Sequence, residues 1–142
     1  MNPVSIPTSG STRIWVYAHL ETPQDPKGDL ARTLVESDHR FVVSTQVLNE
    51  YYAAMLRNRI LDFAIQSNLD DMIQHCDVVL LSVPGIPQAH AIKNRYGFSL
   101  WDSLVVSSAL DAGYPVLYSE DLQHDQQIEG RLIVRNPFRE TR

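Results

Sequence analysis

Three short acidic segments stand at the ends of hydrophobic runs. Asn49-Glu50 is read as opening a helix after the strand-like run Phe41-Val42-Val43-Ser44, Trp101-Asp102 as opening another, and Ser119-Glu120-Asp121 follows Pro115-Val116-Leu117-Tyr118. In a parallel α/β sheet, such positions fall at the carboxyl ends of strands or at the adjoining helix starts, where ligands bind. Carboxylates brought together there from distant parts of a chain offer hard oxygen donors to a divalent cation, the basis of metal-assisted hydrolysis. Each acid also has a plainer explanation. Glu50 reads as a solvated helix charge, although its neighbours Val47, Leu48 and Tyr51 form an apolar stripe that places it at a rim. Asp102 suits the first turn of a helix, where it meets the macrodipole. It also lies between Trp101 and an apolar run, where a carboxylate needs a partner. Asp121 is a turn acid after a strand, and Glu120 beside it is an alternative donor.

The elements that must position these residues alternate in type. Ile14-Trp15-Val16-Tyr17 reads as the first strand or its end, after a Met1–Gly10 opening that is irregular or only briefly extended. Helices are predicted from about Lys27 to Ser37, from a Ser44 or Thr45 cap through Leu56, from Phe63 to His75, from Pro84 or Pro87 toward Arg95, and from Ser99 to Ala112. Gly97 and Gly113 close the last two. Strands are predicted at Phe41–Ser44, Val78–Leu81, Val116–Tyr118 and Leu132–Val134. Strands alternating with helices imply βαβ units and a parallel sheet.

The bulk properties narrow the classes. A chain of 142 residues with 44% hydrophobic content fits one domain spanning 1–142 with a real core. A net charge of −5 argues against a protein that coats nucleic acid nonspecifically, but not against a nuclease, whose metal site is itself acidic. The single Cys76 excludes an internal disulfide framework and a multi-cysteine zinc site, and its apolar setting suggests a buried thiol. The five histidines, at 19, 39, 75, 90 and 124, lack close metal-ligand spacing. No nucleotide-binding glycine fingerprint or hydrolase elbow is present. No apolar run reaches the roughly 20 residues of a membrane span, and no signal peptide is evident, so a cytoplasmic protein is expected. Arg57, Arg59, Lys93, Arg95 and Arg135 are candidates for a phosphate-facing rim. Tyr51, Tyr52 and Trp101 are candidates for base stacking, with core packing the stronger expectation for Trp101.

Four strings in fixed order, STQVLNEYYAAMLR, RYGFSLWDSLVVSSALDAG, LYSEDLQHDQQIEG and IVRNPF, resemble the PIN-domain ribonucleases, and among them the VapC-type toxins of bacterial toxin–antitoxin pairs. The resemblance spans about Ile14 to Phe138. It implies a single-domain three-layer α/β fold with a central parallel sheet flanked by helices, and Mg²⁺- or Mn²⁺-dependent cleavage of RNA. It carries the family's later acidic positions onto Glu50, Asp102 and Asp121 as catalytic and metal-binding residues. It also implies a cognate antitoxin and a homodimer. The chain departs from the family at the first acid: where PIN domains have Asp-Thr-Asn, it has Ser11-Thr12-Arg13. One anionic ligand is thereby lost and a cation is added, which weakens a site whose affinity follows ligand charge and count. The alternative expectation is a catalytically impaired PIN-fold protein that binds RNA or a protein partner.

Overall fold

A computed structural model describes residues 8–10, 12–20, 25–36 and 41–139. Ser11, the position aligned with the family's first acid, and His39 lie outside the described residues. The elements run β1 (Thr8–Gly10), α1 (Thr12–His19), α2 (Pro26–Val35), β2 (Phe41–Ser44), α3 (Thr45–Arg57), α4 (Asp62–His75), β3 (Asp77–Val79), α5 (Gly85–Tyr96), α6 (Leu100–Asp111), β4 (Val116–Tyr118), β5 (Gln127–Ile128) and β6 (Leu132–Arg135). They form the expected three-layer α/β fold.

The sheet has the order β3-β2-β1-β4-β6-β5, with β1 at its centre. All pairs are parallel except β5 with β6. The chain adds strands on one side of β1 as far as β3, then crosses to the other side for β4. The strand order therefore reverses between β1 and β4. The carboxyl ends of strands on either side of such a reversal leave a crevice, because the connecting segments depart in opposite directions.

Three sequence expectations are corrected. Ile14–Tyr17 is not a strand: it lies inside α1, and β1 precedes it. β-branched and aromatic residues favour strands only weakly against tertiary packing. Here Ile14, Trp15 and Ala18 are buried together, the spacing of one helical face. Glu50 does not open a helix either. The helix begins at Thr45, capped by the Ser44 hydroxyl accepting from the Val47 amide at 3.1 Å, and Glu50 falls in its second turn. β3 is also shorter than predicted, ending at Val79, with Leu80 exposed beyond it.

The remaining helices keep their predicted places. In α3, Val47, Tyr51 and Met55 recur every four residues and are buried against the sheet residues Phe41 and Val43. Helix α6 is buried almost all round from Ser103 to Leu110. Its polar Ser107 is satisfied, donating to the Gly85 carbonyl at 2.7 Å and accepting from Gln88 Nε2 at 2.9 Å, which ties α5 to α6. Gly97 ends α5 with φ of 77°, a conformation that costs glycine little. A smaller cluster of Ile14, Ala18, Ala31 and Phe138 fastens the end of the chain onto α1 and α2.

Candidate functional site

The crevice at the strand-order reversal is a cleft of about 910 Å³. Glu50, Asp102 and Asp121 all line it, together with Thr12, Arg13, Gln46, Arg57 and Trp101. Each acid reaches it from a different element. Glu50 comes from α3, which follows β2, and Asp121 from the turn after β4. Asp102 comes from the first turn of α6, whose Ser99 cap accepts from the Asp102 amide at 3.1 Å. Three residues spread over more than half the chain thus share one concavity.

Glu50 is held at both oxygens. Thr12 Oγ1 donates to Oε2 at 2.9 Å, and Gln46 Nε2 donates to Oε1 at 2.8 Å. Gln46 also donates to the Trp101 carbonyl at 3.1 Å, which joins α3 to the start of α6. Asp102 is half-buried, and its pKa is raised from the ordinary 3.8. Burial is the first cause; the charges of Asp121 and Glu50 add to it, while Ser99 and Arg13 oppose it. Asp102 is therefore repelled by the other two carboxylates, and a cation beside it would relieve that repulsion.

Arg13 is a cation already in place. Its Nε lies 3.3 Å from Asp121 Oδ2, and its Nη1 lies 3.9 Å from Glu120 Oε2. Glu120 itself is turned away from a ligand role. Its Oε2 accepts from the Tyr17 hydroxyl at 2.8 Å and its Oε1 from Lys27 Nζ. Burial works to raise the Glu120 pKa, but the bonds from Lys27 and Tyr17 and the charges of Lys27 and Arg13 outweigh it, and the net shift is downward. Of the two adjacent acids, Asp121 is the one that lines the cleft.

The donor set suits a hard divalent cation in chemistry, with three carboxylates lining one cleft and two of them repelling the third. It is open in geometry: among the described residues, no group of three or more His, Cys, Asp or Glu side chains is gathered tightly enough to hold a metal ion. Mg²⁺ does not need a full protein cage, because it keeps several waters and takes one or two carboxylates plus substrate phosphates.

Several expectations about other residues are settled. Trp101 is not in the core: its side chain is 62% exposed and forms part of the cleft wall. Its place in the first turn of α6 precedes the stretch that dives between layers. Tyr51 cannot stack on a base, since it is fully buried. Its hydroxyl accepts from Asn68 Nδ2 at 3.1 Å and shares a hydrogen bond with His19 Nδ1 at 2.6 Å. Burial pushes the Tyr51 pKa up to about 12, with Asn68 opposing. Tyr52 bonds Asp62 at 2.6 Å. Of the basic candidates, Arg57 lines the cleft, whereas Arg95 pairs with Glu129 at 2.6 Å and Arg135 with Asp125. Cys76 is partly buried, and burial followed by the Asp77 charge lifts its thiol to about 11, which disfavours the reactive thiolate. Thr12 and Gln46, which fix Glu50, were not identified from sequence. Gln46 stands one turn before Glu50 on α3, a spacing that could have indicated it.

No family model and no curated protein sequence matches the chain. Among solved structures, it is similar to VapC20 of Mycobacterium tuberculosis, a toxin that cleaves the sarcin-ricin loop. Identity is 18%, coverage is 80% of this chain and 89% of that one, and the TM-score is 0.64. It is also similar to VapBC2 of Rickettsia felis bound to a promoter DNA fragment, at 19% identity over 92% and 98% of the two chains with a TM-score of 0.63. A toxin–antitoxin complex from Klebsiella pneumoniae matches at 13% identity over 92% and 97%, with a TM-score of 0.69. These likenesses establish that the chain has the PIN-domain fold.

Proposed function

We propose that the chain is a metal-dependent endoribonuclease of the PIN type, the toxin of a toxin–antitoxin pair acting in the cytoplasm, with Glu50, Asp102 and Asp121 as its catalytic, metal-holding residues. One observation carries this reading: three carboxylates from α3, α6 and the β4 turn line a single cleft at the sheet's strand-order reversal.

A Mg²⁺ or Mn²⁺ ion bound there would offset charge on a phosphodiester and lower the pKa of a water. The chain's own residues supply the rest. Thr12 and Gln46 fix the Glu50 carboxylate so that it need not reorganise when a ligand arrives. Exposed Trp101 offers an aromatic face to an unstacked base, and Arg57 offers a guanidinium to a phosphate. A folded RNA presenting a loop would suit such a wall better than a regular duplex.

An antitoxin segment and a second copy of the chain are the proposed protein partners. The fold neighbours that are toxin–antitoxin complexes support the first. Exposed Leu61, Phe63, Leu80 and Val83 supply apolar surface for such contacts. Among the described residues, no helix is long and apolar enough to cross a membrane.

The test is cleavage of a structured RNA by purified protein with Mg²⁺ or Mn²⁺, with a chelator, and by Asp102→Asn. Metal-dependent cleavage that falls by roughly 100-fold or more in the variant is expected. Undiminished cleavage by Asp102→Asn would reject the assigned site. A second reading, a noncatalytic PIN-fold module that binds RNA or protein, is favoured by the Arg13–Asp121 pair and the open donor geometry. It predicts RNA or partner binding without cleavage.

A further inference from the structure

We propose that Arg13 is a resident counter-cation of the cleft, which competes with a divalent ion for Asp121 and sets the cleft's metal affinity. The inference rests on the reading that the cleft takes such an ion.

Arg13 is the second residue of α1, on the segment that leaves β1 at the sheet's centre. Its guanidinium approaches Asp121 more closely than Glu120, at 3.3 Å against 3.9 Å. Glu120 has its oxygens committed to Tyr17 and Lys27, which leaves Asp121 as the nearer carboxylate partner of Arg13. Tyr17 is in turn packed edge-on against Phe138, with ring centroids 5.3 Å apart, and Lys27 Nζ lies over the Tyr17 ring at 5.6 Å. The ion pair is therefore part of a built network linking α1, α2 and the β4 turn.

A guanidinium stays charged at any physiological pH. A divalent ion at Asp121 would share that carboxylate with the guanidinium, and the two cations repel. An ion is therefore bound more readily when the Arg13 side chain swings away. That motion is open to it, because the side chain is 57% exposed and belongs to no core cluster. Arg57 lines the same cleft without an ion pair to a described carboxylate, so it provides a matched charge that lacks the contact.

The experiment is calorimetric titration of Mn²⁺ into the full chain at fixed ionic strength, comparing wild type, Arg13→Gln, Arg13→Lys and Arg57→Gln, with circular dichroism to confirm folding. Arg13→Gln is expected to bind Mn²⁺ at least ~5-fold tighter, from loss of one close positive charge. Arg13→Lys should stay near wild type, and Arg57→Gln should change affinity by less than about twofold, as expected of a screened, uncontacted charge. Unchanged or weaker binding by Arg13→Gln overturns the proposal, as does an equal gain in Arg57→Gln, which would reduce Arg13 to general charge. Should wild type bind Mn²⁺ and Arg13→Gln bind no tighter, the cleft reading stands and only the role of Arg13 falls. Should neither bind, both fall.

Discussion

At the scale of single residues, the buried polar contacts divide into those that serve the cleft and those that serve the core. His19 belongs to the second group. Burial lowers its pKa below the ordinary 6.5, with the Asp71 charge opposing, and its Nδ1 is hydrogen-bonded to the Tyr51 hydroxyl. A histidine kept neutral by folding contributes stability that is present above pH 6.5 and is lost as pH falls through its folded value, since the unfolded chain then binds the proton more readily. Thermal melts of wild type and His19→Gln should therefore show a gap at pH 7.5 that narrows at pH ~5; a constant gap would show that protonation of His19 is not coupled to folding. Asp121, Glu50 and Asp102 were legible in the sequence as acids at the ends of apolar runs. Which of Glu120 and Asp121 faces the cleft was not. That choice depends on Tyr17 and Lys27, more than 90 residues away, and no local pattern encodes it.

At the scale of elements, caps and periodicity made most helices readable, because Ser44, Ser99 and Gly97 act within one turn of themselves. Ser44→Ala removes the buried cap that sets the start of α3, and with it the register that carries Glu50. A loss of about 1 kcal/mol in unfolding free energy is expected from denaturant titration; no loss would mean that packing of Val47 and Tyr51 alone fixes the helix. α1 was misread because Ile14, Trp15, Val16 and Tyr17 have strand-like side chains, while the packing that makes them a helix lies in α2, α3 and Phe138. β5 was not foreseen either. It is two residues long and is held by pairing with β6 across Glu129 and Gly130, both with positive φ. A Glu-Gly turn is a weaker hairpin signal than Asn-Gly.

At the scale of the whole molecule, the sheet order explains why the acids meet. The reversal between β1 and β4 brings the β2 exit into α3, the start of α6 and the β4 exit to one edge. Alternating strands and helices predicted a parallel sheet, but strand order is a nonlocal property that periodicity does not carry. The same scale governs assembly. Light scattering of the purified chain should give twice the mass of one copy; a clean monomer that remains so with an antitoxin present would contradict the proposed partnerships.

If Glu50, Asp102 and Asp121 act as one divalent-cation site, titration of Mn²⁺ into wild type and into the triple variant Glu50→Gln, Asp102→Asn, Asp121→Asn, with folding checked in both, will separate the two proteins. One saturable Mn²⁺ per chain in wild type, absent from the folded triple variant, is the predicted result. Equal binding by the two proteins would place the ion elsewhere and rule out a shared site at these three residues.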